Sequence, residues 1–174
     1  MTDLNFRIMA VSFKIRDFFK SRKDIVQEIG LKEGFQVLDY GCGPGGYIPA
    51  VAELIRASGK IYALDINPFA IKTINKLAAK KQLPNVKTIL SECDTGLPTD
   101  SIDMVLLYDV FHDLTDPNKV LTELHRVLKP NGTLSFSDHH LKEKEITSQM
   151  TRNGLFKLAK KGKRTYSFSP TETD

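Results

Sequence analysis

The sequence predicts a doubly wound α/β fold built on a mostly parallel sheet, and three observations predict it. From Gln36 onward, short β-rich runs alternate strictly with longer amphipathic patterns, which makes successive strands parallel and joins them by right-handed crossovers. The short runs are apolar nearly throughout, as strands covered on both faces are. The first run opens into a glycine-rich turn, "GCGPGG" from Gly41 to Gly46, at the carboxyl edge where open α/β sheets bind their ligands.

Ahead of the sheet, residues 18–29 read as a helix and "LKEG" as the turn into the first strand. The runs "QVLDY", "KIYALD", "VKTIL", "IDMVLLY" and "TLSFSD" are the five expected strands. Between them, "YIPAVAELIRAS", "PFAIKTINKLAAKKQ" and "PNKVLTELHRVLK" repeat their apolar residues at three and four, the spacing of one helix face. Asn67-Pro68 and Asp116-Pro117 each set a capping side chain before a proline at the first helical position, and Gly59 is expected to close the first of these helices. After the fifth strand, "KEKEITSQMTRN" predicts one more helix. "LFKLAKKGKRTYSFS" then alternates at period two on either side of a Lys-Gly turn, which predicts an antiparallel hairpin.

With 174 residues, 41% of them hydrophobic and 26% charged, the chain is expected to fold as one globular domain, residues 1–174. Residues 1–30 form an N-terminal helical segment, 31–138 the core and 139–174 the helix and hairpin. No apolar run approaches the roughly 18 residues of a membrane span, and charges interrupt the N-terminus too often for a secretory signal. Cys42 and Cys93 share no short spacing, which points to a reducing, cytoplasmic setting rather than a disulfide framework or zinc site. The net charge of +4 is concentrated in "FKSRKD" and in the basic C-terminal hairpin. A solvated face explains both, with nucleic acid as the rival partner of the hairpin.

By spacing alone, Gly41, Gly43 and Gly46 also fit the dinucleotide fingerprint, and that match is weak. The acids around the turn discriminate. Asp39 precedes it by two residues, Asp65 ends the second strand 24 residues after Gly41, and Glu92 and Asp94 follow the third strand. A diphosphate meets repulsion there. A ligand with a ribose and a cationic end is favoured, because Asp65 can accept from ribose hydroxyls while Asp39 faces the cation.

"VLDYGCGPGG", "ALDINPFAI", "SECDTGLPTDSIDMVLLYDVFHDLTDP" and "VLTELHRVLKPNGTLSFSD", in that order, resemble the class I S-adenosylmethionine-dependent methyltransferases. The resemblance is to the UbiE-like, methyltransferase-11 type and covers roughly residues 31–138. It implies a Rossmann-like, seven-stranded sheet of order 3-2-1-4-5-7-6, the hairpin supplying the last two strands. It also implies that Gly41, Gly43 and Gly45 line the methionine part of S-adenosylmethionine, and that Asp39 holds the turn and reaches the amino group. Asp65 binds ribose and Ile66 packs on adenine. Glu92 and the Cys93 N–H meet the adenine edge, and the Tyr108 carbonyl receives the ammonium. The family more often has Asp-Ala where Glu92-Cys93 stands, which leaves the shape of the adenine pocket open. Asp103 is read as a turn organiser.

Methyl transfer is an in-line displacement in which the protein chiefly positions the acceptor, and a base is needed only when that acceptor starts protonated. His112 and the pair His139-His140 fall on the loops where acceptors bind in this fold, and His112 or His139 is the candidate base. No metal is expected, since no carboxylate stands at a recognised ligand spacing from these histidines. "LLYDVF" stands where amino-methylating nucleic-acid enzymes carry "NPPY", and neither cysteine lies in a Pro-Cys loop. A small-molecule acceptor is therefore expected. Its cover would come from residues 6–19, a bound partner or a second copy in a homodimer. Two rivals remain open: a nicotinamide-dependent oxidoreductase on the same sheet, and a non-catalytic cofactor-binding module that contacts RNA or a protein.

Overall fold

The computed structural model of the chain describes residues 22–172. The expected cover at residues 6–19 and the first turn of the expected N-terminal helix lie outside the described residues. The elements are α1 (Arg22–Glu28), β1 (Gln36–Tyr40), α2 (Ile48–Ile55), β2 (Lys60–Asp65), α3 (Pro68–Lys81), β3 (Val86–Leu90) and β4 (Ile102–Tyr108). There follow a single 3₁₀ turn at Phe111–Asp113, α4 (Pro117–Val127), β5 (Leu128–Ser137), α5 (Glu143–Thr151), β6 (Phe156–Lys161) and β7 (Tyr166–Pro170).

The strands form one sheet of order β3-β2-β1-β4-β5-β7-β6, the order the resemblance implies. β1 to β5 run parallel, and β7 pairs antiparallel with both β5 and β6. β1 sits between β2 and β4, with Asp39 level with Ala63 on one side and Leu106 on the other. Alternation along the strands feeds two cores. Leu38, Tyr40, Val105 and Leu107 pack toward α4 and α5. Val37, Met104, Leu106 and Tyr108 pack toward α1 and α2. By the same alternation Asp39 faces the side of Val37, so a carboxylate is placed beneath the α1–α2 layer.

Local chemistry sets most boundaries. Asn67 Oδ1 accepts the Phe69 N–H at 3.0 Å and Asp116 Oδ1 accepts the Lys119 N–H at 3.0 Å, so both expected caps form. α2 differs from expectation: it ends at Ile55, where Arg56 turns to φ 57°. Gly59 serves the next turn, where a Cβ would stand 2.7 Å from the Phe35 carbonyl oxygen. β5 also begins earlier than "TLSFSD". Leu128 pairs with Ile102 and Thr133 with Met104, so "KPNG" is absorbed as a bulge inside the strand rather than a loop before it.

Asp103 lies at the amino end of β4, accepting from the Gln36 N–H at 2.8 Å and from Lys129 Nζ at 2.6 Å. It clamps the edge opposite the glycine turn. Glu28 at the end of α1 accepts from Thr165 Oγ1 at 2.9 Å and from the Arg164 and Thr165 N–H groups at 3.3 Å. α1 is thereby tied to the β6–β7 turn across the whole length of the described chain.

Phe136 of β5 is fully buried and meets Phe111 edge-on at 5.4 Å and Phe168 at 6.4 Å. Phe136→Ala is expected to lower unfolding stability by about 3–5 kcal/mol, while Leu158→Ala, at a side chain 41% exposed, changes it little. Urea denaturation checks both, and equal losses at the two positions would refute this account of the core.

Candidate active site

Parallel pairing brings the carboxyl ends of β1, β2, β4 and β5 to one edge. At the end of β1 the Gly41 and Cys42 N–H groups donate to the Leu64 carbonyl at 2.9 and 3.0 Å, folding the turn back over β2. Gly41 has φ +71°, and a Cβ there would overlap Val110 at 2.6 Å. A Cβ at Gly43 meets nothing within 4 Å, so its main chain is open to a ligand. One at Gly45 would lie 2.3 Å from Ile74 Cδ1, so the bareness of this glycine is used to seat the turn on α3.

Gly41 and Gly43 line a cleft together with Arg22, Asp39, Tyr47, Tyr108 and Asp109. Asp39 is 3% exposed, and its Oδ2 has no hydrogen-bond partner among the described residues. Burial pushes its carboxyl up to about 7; the Arg22 charge opposes this rise and the nearby Asp65 adds to it. Burial also raises the Asp65 carboxyl, against the pull of two backbone donors. Those donors are Gly43 N–H to Oδ2 and Asn67 N–H to Oδ1, both at 2.8 Å. Each oxygen keeps further acceptor capacity for a hydroxyl pair.

Beyond Asp65, Ile66 is 63% and Leu90 58% exposed, two bare apolar side chains at the ends of β2 and β3 where a flat base can lie. The following loop is pinned from both ends. Tyr40 Oη donates to the Glu92 carbonyl at 2.6 Å, and the Thr95 N–H donates to Glu123 at 2.9 Å. The Glu92 side chain is exposed. The Cys93 N–H spends itself on Ser91 Oγ at a long 3.3 Å. Tyr108 is buried, its hydroxyl bonded to Ser135 Oγ at 2.7 Å and its ring tilted on Tyr47 at 4.9 Å.

The histidines gather at the ends of β4 and β5. Tyr108 is level with Ser137, so the next residues, Asp109 and Asp138, emerge side by side. Asp138, whose side chain is fully buried, accepts from His112 Nδ1 at 2.8 Å and from the His140 N–H at 3.0 Å. Asp109 accepts from His139 Nδ1 at 2.8 Å. The His112 and His139 rings both pack against His140, tilted, with centroids at 4.0 and 3.9 Å, and lie 6.2 Å from each other. No carboxylate stands at a recognised ligand spacing from the histidines in the sequence, yet the strand ends bring two to them: ligand atoms of Asp109, Asp138 and His139 lie within 4.8 Å of one another.

Arg22, Tyr47, Asp109 and Asp138 were not singled out from the sequence. For Arg22 a signal exists, since Arg22, Ile25, Val26 and Ile29 fall on one helix face. The solvated-face reading of "FKSRKD" is thus corrected at this residue, which lines the cleft.

An acid with one oxygen unpartnered beneath open main chain, an acid locked at the end of β2 and an apolar shelf beyond it have the chemistry that suits a cationic nucleoside. The chain belongs to the methyltransferase-domain family, whose model matches residues 31–169. It is 32% identical to demethylmenaquinone methyltransferase of Geobacillus stearothermophilus over 118 residues, 67% of this chain and 50% of that protein. It is 28% identical to the ubiquinone/menaquinone biosynthesis C-methyltransferase UbiE of a Marinomonas species over 139 residues, 79% of this chain and 55% of that one. The chain thus spans about half the length of the curated relatives it matches. A solved S-adenosylmethionine-dependent methyltransferase from Aquifex aeolicus superposes with a TM-score of 0.76 at 26% identity, covering 86% of this chain and 88% of that one. The donor set at the cleft fits the S-adenosylmethionine named for that neighbour: acids stand where an ammonium and a ribose would lie, and no cluster of cations for a diphosphate lines the cleft among the described residues. No helix among the described residues is long and apolar enough to cross a membrane.

Asp39 binds its proton more tightly folded than unfolded, so its cost to stability is absent below the ordinary carboxylate range and grows as pH rises toward about 7. In the cofactor-free protein, Asp39→Asn is expected to melt roughly 5 °C or more above wild type at pH 8, a gap that closes toward pH 4. Melting temperatures of both proteins across pH check this. A difference independent of pH would remove the buried carboxylate as its source.

Proposed function

We propose that this chain transfers the sulfonium methyl group of S-adenosylmethionine to a small molecule whose accepting position is activated by loss of a hydroxyl proton. Asp39 carries the reading: a buried carboxylate oxygen without a partner, beneath a turn whose main chain is open, needs a cation. Asp65 would hold the ribose hydroxyls, Ile66 and Leu90 would flank the adenine, and Glu92 and the Cys93 N–H would meet its edge. The Tyr108 carbonyl would share the ammonium with Asp39. When bound, the cofactor supplies an electrophilic methyl group.

On the acceptor side, His112 donates through Nδ1 to buried Asp138, which fixes the ring and leaves Nε2 as the proton acceptor. His139, held the same way by Asp109, is the second candidate. The quinone names of the relatives suggest the acceptor class. A quinone ring is electron-poor and becomes a carbon nucleophile only in its reduced, hydroxyl-bearing form, where proton loss from the hydroxyl enriches the neighbouring ring carbon. An Asp-braced histidine suits that proton. The basic hairpin is read as solvated surface; Lys161, for one, pairs with Glu143.

The test supplies methyl-labelled S-adenosylmethionine and a short-chain demethylated naphthohydroquinone under reductant. Labelled product is expected, and either His112→Ala or His139→Ala should slow it about 100-fold or more. Full turnover in both variants removes the histidine base. Turnover lost to a chelator and restored by magnesium reassigns Asp109, Asp138 and His139 to a cation. Failure of S-adenosylhomocysteine to bind in calorimetry ends the reading as a whole.

A further inference from the structure

The sheet has two outer strands, and they are guarded unequally. β6 carries Lys157, Lys160 and Lys161, and its register against β7 shifts between Leu158 and Lys160; lysines and a bulge both hinder the addition of a further strand. β3, at the opposite edge, keeps an unbroken register with β2 from Val86 to Leu90 and has one lysine. Its main chain turns outward at alternate residues. The Ile61 N–H donates to the Asn85 carbonyl at 2.9 Å and the Ser91 N–H to the Asp65 carbonyl at 3.2 Å, so residues 85, 87, 89 and 91 point toward β2 while Val86, Thr88 and Leu90 point away. The Val86 N–H is used locally, on the Leu83 carbonyl at 3.3 Å, whereas the Thr88 and Leu90 N–H groups find no acceptor among the described residues.

The charge around this edge narrows its occupant. Residues 66–91 hold Lys72, Lys76, Lys80, Lys81 and Lys87 and no acid, a local excess larger than the net charge of +4 on the whole chain. All of these lysines are exposed, and Lys72, Lys76 and Lys80 follow one another at four-residue steps along α3. Like charges at that spacing disfavour a helix. Exposed lysines elsewhere are neutralised, Lys23 by Glu53 and Lys161 by Glu143, but none of this set forms an ion pair with a described residue. The row runs beside the open edge: Thr88 Oγ1 donates to Asn75 Oδ1 at 3.2 Å, and Asn75 lies between Lys72 and Lys76 on the helix surface.

We propose that the outer edge of β3 is a docking strand for a protein partner, which extends the sheet by one strand and sets acidic side chains against the α3 lysines. Open donors at Thr88 and Leu90 call for main-chain acceptors, which a polypeptide strand supplies and a nucleic acid does not. A second copy of the same edge would bring a lysine row of the same sign and be repelled. β2 and β1 separate β3 from β4 and β5, so the partner docks away from the histidines, and the proposal stands whatever the acceptor is.

The probe is a blocked peptide of about seven residues alternating valine and glutamate, with a valine–lysine peptide as control. Amide NMR spectra of the full chain are expected to show the glutamate peptide binding with a Kd below about 1 mM, shifting the Thr88 and Leu90 amides and slowing their hydrogen exchange. Binding should weaken about 10-fold as salt rises from about 50 to about 500 mM. Thr88→Pro removes an outward N–H, a change an edge strand tolerates, and should abolish binding. Lys76→Glu combined with Lys80→Glu, both at exposed helix positions, should weaken it about 10-fold or more, and this variant decides the matter if the proline variant does not fold. A wild-type chain that ignores the glutamate peptide, or binds the lysine peptide equally well, overturns the proposal, as does binding that survives Thr88→Pro or the double charge reversal. Oligouridylate bound through the lysines and indifferent to Thr88→Pro reassigns the surface to nucleic acid. Self-association lost in Thr88→Pro reassigns it to a second copy, and either result also overturns the proposal.

Discussion

Parallel pairing of β1 with both β2 and β4 is the constraint on which the site depends. Because the strands run the same way, their carboxyl ends share an edge, and because β1 is central, the turn that leaves it stands between the contributions of its neighbours. Asp65 reaches the turn from one side and Tyr108 with Asp109 from the other. A one-residue slip in the β1 register would turn Asp39 toward the α4–α5 core and a leucine or tyrosine toward the cleft. The large apolar faces of β1 and β4 oppose that slip, so the hydrophobic alternation that holds the fold together also aims the carboxylate.

That placement works against stability. An acid beneath a helical layer, with one oxygen unsatisfied, is a cost the fold bears in the absence of ligand. The surroundings of Asp39 offset it only in part: Arg22 lowers the carboxyl while Asp65 raises it. A bound ammonium would relieve the cost directly, so binding strength is drawn from strain already present in the free protein. The contrast with Asp103 is informative. At the opposite edge of the sheet, Asp103 is satisfied by Gln36 and Lys129, and such an acid has nothing left to offer a ligand.

Most of the architecture was legible because it is written in short range. The apolar runs, the caps at Asn67 and Asp116 and the period-two hairpin each depend on neighbours along the chain. Misjudged boundaries were those where tertiary pairing overrode local composition: "KPNG" looks like a loop but is drawn into β5 by the Leu128–Ile102 pair, and "RAS" looks helical but Arg56 turns out at Ile55. Asp39 and Asp65 were legible beside the glycine turn because each sits at or near the carboxyl end of its strand. Arg22 was hidden among lysines that share its charge but not its helix face. The Asp138–His112 and Asp109–His139 pairs were not legible, since 26 and 30 residues separate their members and only the β4–β5 register brings them together.

That register also divides the labour of the site. The half proposed for the cofactor is built on β1 and β2 from main chain and buried charge, groups that cannot easily move. The half proposed for the acceptor is built on the ends of β4 and β5 from imidazoles braced by carboxylates. The two halves meet at Asp109, which has φ 52°, an uncommon conformation for a residue with a side chain. This bend takes the chain out of β4 so that one carboxylate both lines the cleft and grips His139. A change that relaxed Asp109 to extended backbone would carry β4 onward and move His112 away from Asp138. The position therefore couples where the methyl group would sit to where a proton would leave, and the coupling is geometric: it is set by where β4 ends and by the one carboxylate that touches both sides.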